Sequence, residues 1–199
     1  MKQEILINVS PSETRVAVVE NGVLQEVYIE REARQGLVGN IYRGKVLRVL
    51  PGMQSAFVDI GLDKAAFLHA KEIFPLQESE AGSVSDDIKD LIREGQEIIV
   101  QVVKDMIGSK GARLTTHISL PSRYLVYMPG SQHIGVSQRI DDEKERERLR
   151  NIVKQVQQDK QTLSGGFILR TAADGVSEAE IKKDMEFVTK LWGLVASRV

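Results

Sequence analysis

Two phenylalanines, Phe57 and Phe67, fall within the run NIYRGKVLRVLPGMQSAFVDIGLDKAAFLHA, residues 40–70, together with Arg43, Lys45, Arg48 and Lys64. Open aromatic faces among cations are what a single-stranded nucleic acid requires, since bases stack on the rings and phosphates pair with the charges. A strand phenylalanine is more often part of a core, so this reading depends on both rings sharing an outward face. A second pair, Arg170 and Thr171, closes the hydrophobic part of GGFILRTAADGVSEAE. A guanidinium beside a short hydroxyl offers the bidentate and single donors that a terminal phosphate dianion calls for. The plainer alternative is an arginine paired with a surface carboxylate beside an ordinary strand threonine. The histidines, His69, His117 and His133, are scattered without metal-ligand spacing and are read as polar surface or strand residues.

The elements that must hold these residues follow from periodicity. Tyr42 to Val49 alternates, Leu50-Pro51-Gly52 turns the chain, and Ser55 to Ile60 alternates again. Gly61-Leu62-Asp63 then leads to a short strand, Ala65 to His69. That tight connection predicts Phe57 and Phe67 as neighbours. The acidic stretch Glu78 to Asp87 reads as a loop, Asp87 to Arg93 as a short helix, Glu97 to Lys104 as a strand and Ala112 to Ser119 as a fifth strand. Five strands with a loop and a short helix before the fourth match an OB-fold barrel, whose second and third strands commonly bind nucleic acid.

Before this barrel, Glu4 to Val9, Arg15 to Val19 and Val23 to Ile29 read as an antiparallel group with an Asn21-Gly22 hairpin turn. Glu32 to Gly39 reads as a linker. Alone, so short a piece cannot bury a core, which predicts that its strands pack against another copy or exchange between chains. After the barrel, Tyr124 to Met128, Val136 to Ile140 and Phe167 to Thr171 read as strands. Asp141 to Gln158 reads as a helix with Leu149, Ile152, Val153 and Val156 on one face. Ser177 and Glu180 form a capping box for a last helix, whose stripe Ile181, Met185, Val188, Trp192 and Val195 reads as core.

A formal net charge of −1 leaves no global field for an anionic partner, so any nucleic-acid binding must come from a local patch. The charges are segregated accordingly. Residues 40–70 carry four Lys/Arg against Asp59 and Asp63, and residues 98–123 carry Lys104, Lys110, Arg113 and Arg123 against Asp105. The absence of cysteine excludes disulfides, thiol chemistry and a Cys-based zinc site. No apolar run approaches the roughly 20 residues of a membrane span, and the N-terminus is strand-like rather than a signal peptide. A cytoplasmic protein without a membrane partner is the expectation.

These runs, together with KGARLTTHISLPSRYLVYMPG, resemble the N-terminal region of the bacterial ribonuclease E/G family over essentially the whole chain. The resemblance implies an α+β protein in three parts. Residues 1–38 would be N-terminal strands of an incomplete RNase H-like subdomain, 39–119 an OB-fold RNA-binding domain of S1 type, and 120–199 a 5′-monophosphate sensor. It places Phe57, Phe67 and Lys110 on the RNA-binding face. Arg170 and Thr171 match side chains that hold the 5′-phosphate, and Val126 matches a backbone contact. Ser122 falls where part of the family has glycine, at a position suited to a backbone N–H. The family's catalytic region, with magnesium-binding aspartates, zinc-linking cysteines and an oligomerising domain, matches nothing in this chain. Magnesium and zinc are therefore expected of the parent enzyme and not of residues here.

These readings converge on the RNA-binding and 5′-end-sensing region of a magnesium-dependent endoribonuclease that cleaves single-stranded RNA in ribosomal RNA maturation and messenger RNA decay. The partner expected is single-stranded RNA with a 5′-monophosphate. The parent is expected to be a homo-oligomer, and this chain alone to be inactive and capable of a strand-mediated dimer. The alternatives are a non-catalytic single-stranded RNA-binding module and an OB domain that serves only as a protein scaffold.

Overall fold

Alternating polar and apolar residues fold the start of the chain into β1 (Gln3–Val9), β2 (Glu13–Glu20) and β3 (Val23–Arg31), an antiparallel sheet in that order. The structure, a computed structural model, describes residues 2–32, 36–74, 87–159 and 163–198. Asn21 and Gly22 both take positive φ, 50° and 80°, which gives the β2–β3 hairpin the twist its strands need. No described side chain of this sheet is buried; Ile5, Ile7 and Val9 are each more than 60% exposed. Met1–Leu37 form one compact unit and Val38–Val199 another.

The second unit opens with a closed barrel. Its strands are β4 (Ile41–Leu50), β5 (Ser55–Asp59), β6 (Ala66–His69), β7 (Glu97–Lys104) and β8 (Arg113–Thr115), ordered β4-β5-β6-β8-β7. Val46, Ala56, Val58, Leu68, Val100, Val102 and Leu114 fill its interior. A short helix, α1 (Ile88–Leu91), precedes β7, and the Asp87 side chain caps it by accepting from Lys89 N–H. The acidic loop expected before it lies outside the described residues, apart from Asp87.

The fifth strand is shorter than the alternation of residues 112–119 predicts. After Thr115 the Thr116 N–H turns to the carbonyl of Glu72 at 2.8 Å, and pairing with β7 ends. Gln101, which alternates with Val100 and Val102 along β7, is buried as they are. It donates to the carbonyls of Gly39 and Ser119 at 3.0 Å each and accepts from Ser119 N–H at 2.9 Å. A buried amide satisfied on both ends tacks the chain entering the barrel to the chain leaving it.

The rest of the unit is an α+β module. Its sheet runs β11 (Ile134–Val136), β12 (Gly166–Leu169), β10 (Leu125–Met128) and β9 (Leu120–Pro121), with only β11 and β12 parallel. Two helices, α2 (Glu143–Asp159) and α3 (Glu178–Ala196), pack against it. Leu149, Ile152, Val153 and Val156 of α2 are buried as their spacing predicts, with Ile181, Met185 and Val188 of α3. Ser177 caps α3, accepting from Glu180 N–H.

Three expectations need correction here. The strand expected over 136–140 ends at Val136, because Ile140 N–H folds back to the Ser137 carbonyl in a turn. The strand expected over 167–171 ends at Leu169, and Thr171–Ala173 form a 3-10 turn. Trp192 is only half-buried, packed on the edge of the module's core, whereas the stripe predicts full burial.

Candidate nucleic-acid interface

Phe57 and Phe67 are direct cross-strand partners on β5 and β6. Their flanking residues Ala56, Val58, Ala66 and Leu68 are completely buried, so alternation turns both rings outward. Their centroids lie 6.2 Å apart with an interplanar angle of 69°, an edge-to-face pair. Phe57 is 36% exposed and Phe67 half-buried. The arrangement leaves aromatic surface open on the outside of a barrel, where a base can stack.

The surroundings are cationic. Arg48 is paired in register with Phe57, and Arg113 with Phe67. Arg113 is bonded to Glu72 at 3.0 Å, and Arg43 is paired with Glu97. Lys64 donates to the Gly108 carbonyl at 2.7 Å. Lys110 is exposed, on the loop that enters β8. Its neighbour Gly111 lies so close to β6 that a Cβ would come within 1.9 Å of the Ala65 carbonyl oxygen. Only glycine permits that approach, which is completed by Phe67 N–H donating to the Ala112 carbonyl at 2.7 Å. Lys110 is thereby held at the Phe67 side of the barrel.

The second group of candidates lies on the α+β module. Arg170 is exposed and occupies the position before the 3-10 turn. Its guanidinium donates to the Ser122 carbonyl at 2.6 Å and to no carboxylate among the described residues, while its own N–H donates to the Tyr124 carbonyl at 2.8 Å. Thr171 shares a hydroxyl–hydroxyl bond with Ser137 at 3.1 Å. Val126 lies on the central β10, in register with Pro121 on one side and Ile168 on the other. The Ser122 N–H donates to the Leu125 carbonyl at 2.8 Å. In this structure Ser122 therefore meets Arg170 through its carbonyl, and its N–H is already engaged.

Two residues that the sequence did not single out support this group. Asp184, half-buried on α3, accepts from the Ser122 hydroxyl at 2.5 Å and from Tyr124 N–H at 2.9 Å. It anchors the segment to which Arg170 is bonded. Ser137 reaches Thr171 from the turn after β11. Neither pairing has a local sequence signal, because the partners are 62 and 34 residues apart.

An apolar cleft of about 410 Å³, walled by Ile73, Phe74, Ile98, Ile118 and Trp192 among others, includes none of the candidate residues. Among the described residues no group of three or more acidic or histidine side chains is placed to hold a metal ion. No helix among them is long and apolar enough to cross a membrane.

Comparison with known proteins divides the chain where the two kinds of architecture meet. Residues 37–112 match the S1 RNA binding domain and residues 119–199 the ribonuclease E/G family. The chain is 59% identical over 203 aligned residues to ribonuclease G of Escherichia coli strain K12, with all of this chain and 41% of that protein covered. It is 38% identical over 197 residues to ribonuclease E of the same strain, with 96% of this chain and 18% of that protein covered. Among solved structures, GSP13 from Bacillus subtilis aligns at a TM-score of 0.32 and 23% identity, over 40% of this chain and 54% of that one. The chain thus spans about two fifths of the length of the ribonuclease G sequences it matches.

Proposed function

The chain belongs to the ribonuclease E/G family, and from that premise we propose that it forms the RNA-binding and 5′-end-sensing region of an endoribonuclease that cleaves single-stranded RNA. The observation that carries the reading is the pair of outward rings, Phe57 and Phe67, side by side on an S1-type barrel. In this reading residues 39–119 hold the RNA strand through Phe57, Phe67 and Lys110. Residues 120–199 hold its 5′-monophosphate through Arg170 and Thr171, with Val126 and Ser122 shaping the backbone around it. Residues 1–38 are strands of an RNase H-like subdomain.

The roles divide by chemistry. Rings supply sequence-tolerant stacking. The Arg170 guanidinium, fixed from one side by the Ser122 carbonyl, keeps its remaining N–H donors for a phosphate. Two grips on one strand raise the effective concentration of the segment between or beyond them at a cutting site. Cutting itself, and the magnesium it uses, we assign to a part of the parent protein outside this chain. The parent is then a cytoplasmic homo-oligomer acting in ribosomal RNA maturation and messenger RNA decay.

The test is a titration of one single-stranded RNA carrying either a monophosphate or a hydroxyl at its 5′ end. Tighter binding of the monophosphate form is expected. Equal affinities remove the end-sensing assignment, and no salt-dependent binding of either form removes RNA binding altogether.

A further inference from the structure

The paired phenylalanines lie in the middle of a longer row. Following the register across the barrel, Arg48 of β4 faces Phe57 of β5, Phe57 faces Phe67 of β6, Phe67 faces Arg113 of β8, and Arg113 faces Lys104 of β7. All five side chains are on the outer face, exposed except for the half-buried Phe67. The row crosses every strand of the barrel in the order cation, ring, ring, cation, cation. With strands about 4.8 Å apart, its four steps follow about 19 Å around the barrel, whose end strands β4 and β7 are themselves paired.

Both ends of this row depend on a β-bulge. Between β4 and β5 the register passes from Val46–Val58 to Arg48–Phe57, skipping Leu47. Between β7 and β8 it passes from Val102–Leu114 to Lys104–Arg113, skipping Val103. Were the register unbroken, Leu47 would face Phe57 and Val103 would face Arg113. Each bulge thus replaces an aliphatic side chain with a cation at the row, the kind of re-aiming for which bulges are retained. Arg113 is already bonded to Glu72. Arg48 and Lys104, by contrast, make no side-chain hydrogen bond or ion pair among the described residues.

We infer that Arg48 and Lys104 are phosphate-binding residues, placed by the two bulges beyond either side of the aromatic pair, so that single-stranded RNA crosses the barrel strands by following this row around the barrel. The inference rests on reading the barrel as an RNA-binding surface and adds the direction of the strand and the residues that bracket it. Two bases stack on the rings, and the backbone before and after them meets a cation on either side.

The experiment measures binding of a single-stranded RNA of about 12 nucleotides, within the 4–16 that one OB fold covers, with a 5′-hydroxyl to leave the end sensor idle. Affinity is followed as a function of salt. Removing one cation–phosphate pairing from a single-stranded ligand flattens the log–log slope by about 0.7. Arg48→Gln and Lys104→Gln are each expected to show that change, and the double variant twice as much. Lys154→Gln, on the exposed side of α2, should not. A swap, Leu47→Arg with Arg48→Leu, keeps the net charge but moves the guanidinium to the bulged position, and is expected to behave like Arg48→Gln. If the swap matches wild type, or if Arg48→Gln and Lys104→Gln match Lys154→Gln while Phe57→Ala weakens binding, the row is overturned and the RNA-binding reading stands. If Phe57→Ala and Phe67→Ala also leave binding unchanged, the reading beneath it fails.

Discussion

Among the described residues, the guanidinium of Arg170 is held by the main-chain carbonyl of Ser122 at 2.6 Å and by no carboxylate. The difference matters for an anion site. A carboxylate partner would neutralise the charge, whereas a carbonyl orients the fork and leaves its charge for a ligand. Asp184 stands one step behind, accepting from the Ser122 hydroxyl and the Tyr124 N–H. The negative charge thus positions backbone, and the positive charge is kept at the exposed end.

Arg170→Ala is expected to abolish any preference for a 5′-monophosphate over a 5′-hydroxyl while leaving binding of hydroxyl-ended RNA near wild type. Asp184→Ala should reduce the same preference and also lower stability by about 1.5–3 kcal/mol, the scale of hydrogen bonds to a charged group. Paired titrations with the two RNA ends, together with thermal melts, check both. An undiminished preference in Arg170→Ala removes that residue from the site.

Truncating either ring should weaken single-stranded RNA binding by about 1–3 kcal/mol, the worth of one base–aromatic stack. Phe57, the more open of the two, should tolerate Phe57→Ala with little disturbance of the fold, since its side chain contributes less to the core than its buried neighbours. Phe57→Tyr should retain most of the affinity because a π face is kept. Fluorescence anisotropy at fixed salt, with circular dichroism to confirm folding, distinguishes missing stacking from missing structure.

Stability should depend on acid in a way traceable to Glu145. The hydrogen bonds from Arg148, both at 2.6 Å, hold its carboxyl below the ordinary range, with partial burial opposing and Gly175 N–H adding to the effect. A carboxyl depressed in the folded state stabilises above its unfolded pKa, and that contribution disappears as pH falls through the folded value. Glu145→Gln should therefore cost about 1 kcal/mol or less at neutral pH, given the solvent exposure of Arg148. The difference from wild type should vanish in strong acid. Melts that differ equally at neutral and acid pH contradict this account.

The sheet β1–β3 offers apolar side chains without any described cover, Ile5, Ile7, Val9 and Tyr28 among them. Among the described residues, β1 and β3 are its edge strands, and edge strands are prone to pair with another chain. The isolated chain should associate through this sheet, with a mass that rises with concentration in sedimentation equilibrium. Ile7→Lys should weaken association about tenfold or more, the scale of one large aliphatic side chain returned to water. A monomer mass independent of concentration rules this association out.

Much of this protein was determined by local sequence. Alternation set the three opening strands and the barrel strands β4, β5 and β7 nearly to their ends, and it turned Phe57 and Phe67 to one face. A 3.6-residue spacing chose the buried faces of α2 and α3. These properties are periodic and short in range, so neighbouring residues carry them. Tertiary structure alone decided where the strands stop and what stands beside what. Leu47 and Val103 follow the alternation in sequence, yet the bulges pass over both and bring Arg48 and Lys104 into the row. Arg170 left its strand to meet Ser122, and Thr171 met Ser137 across the module. Register between distant strands is settled by burial and hydrogen bonding over the whole barrel. No window of a few residues holds that information.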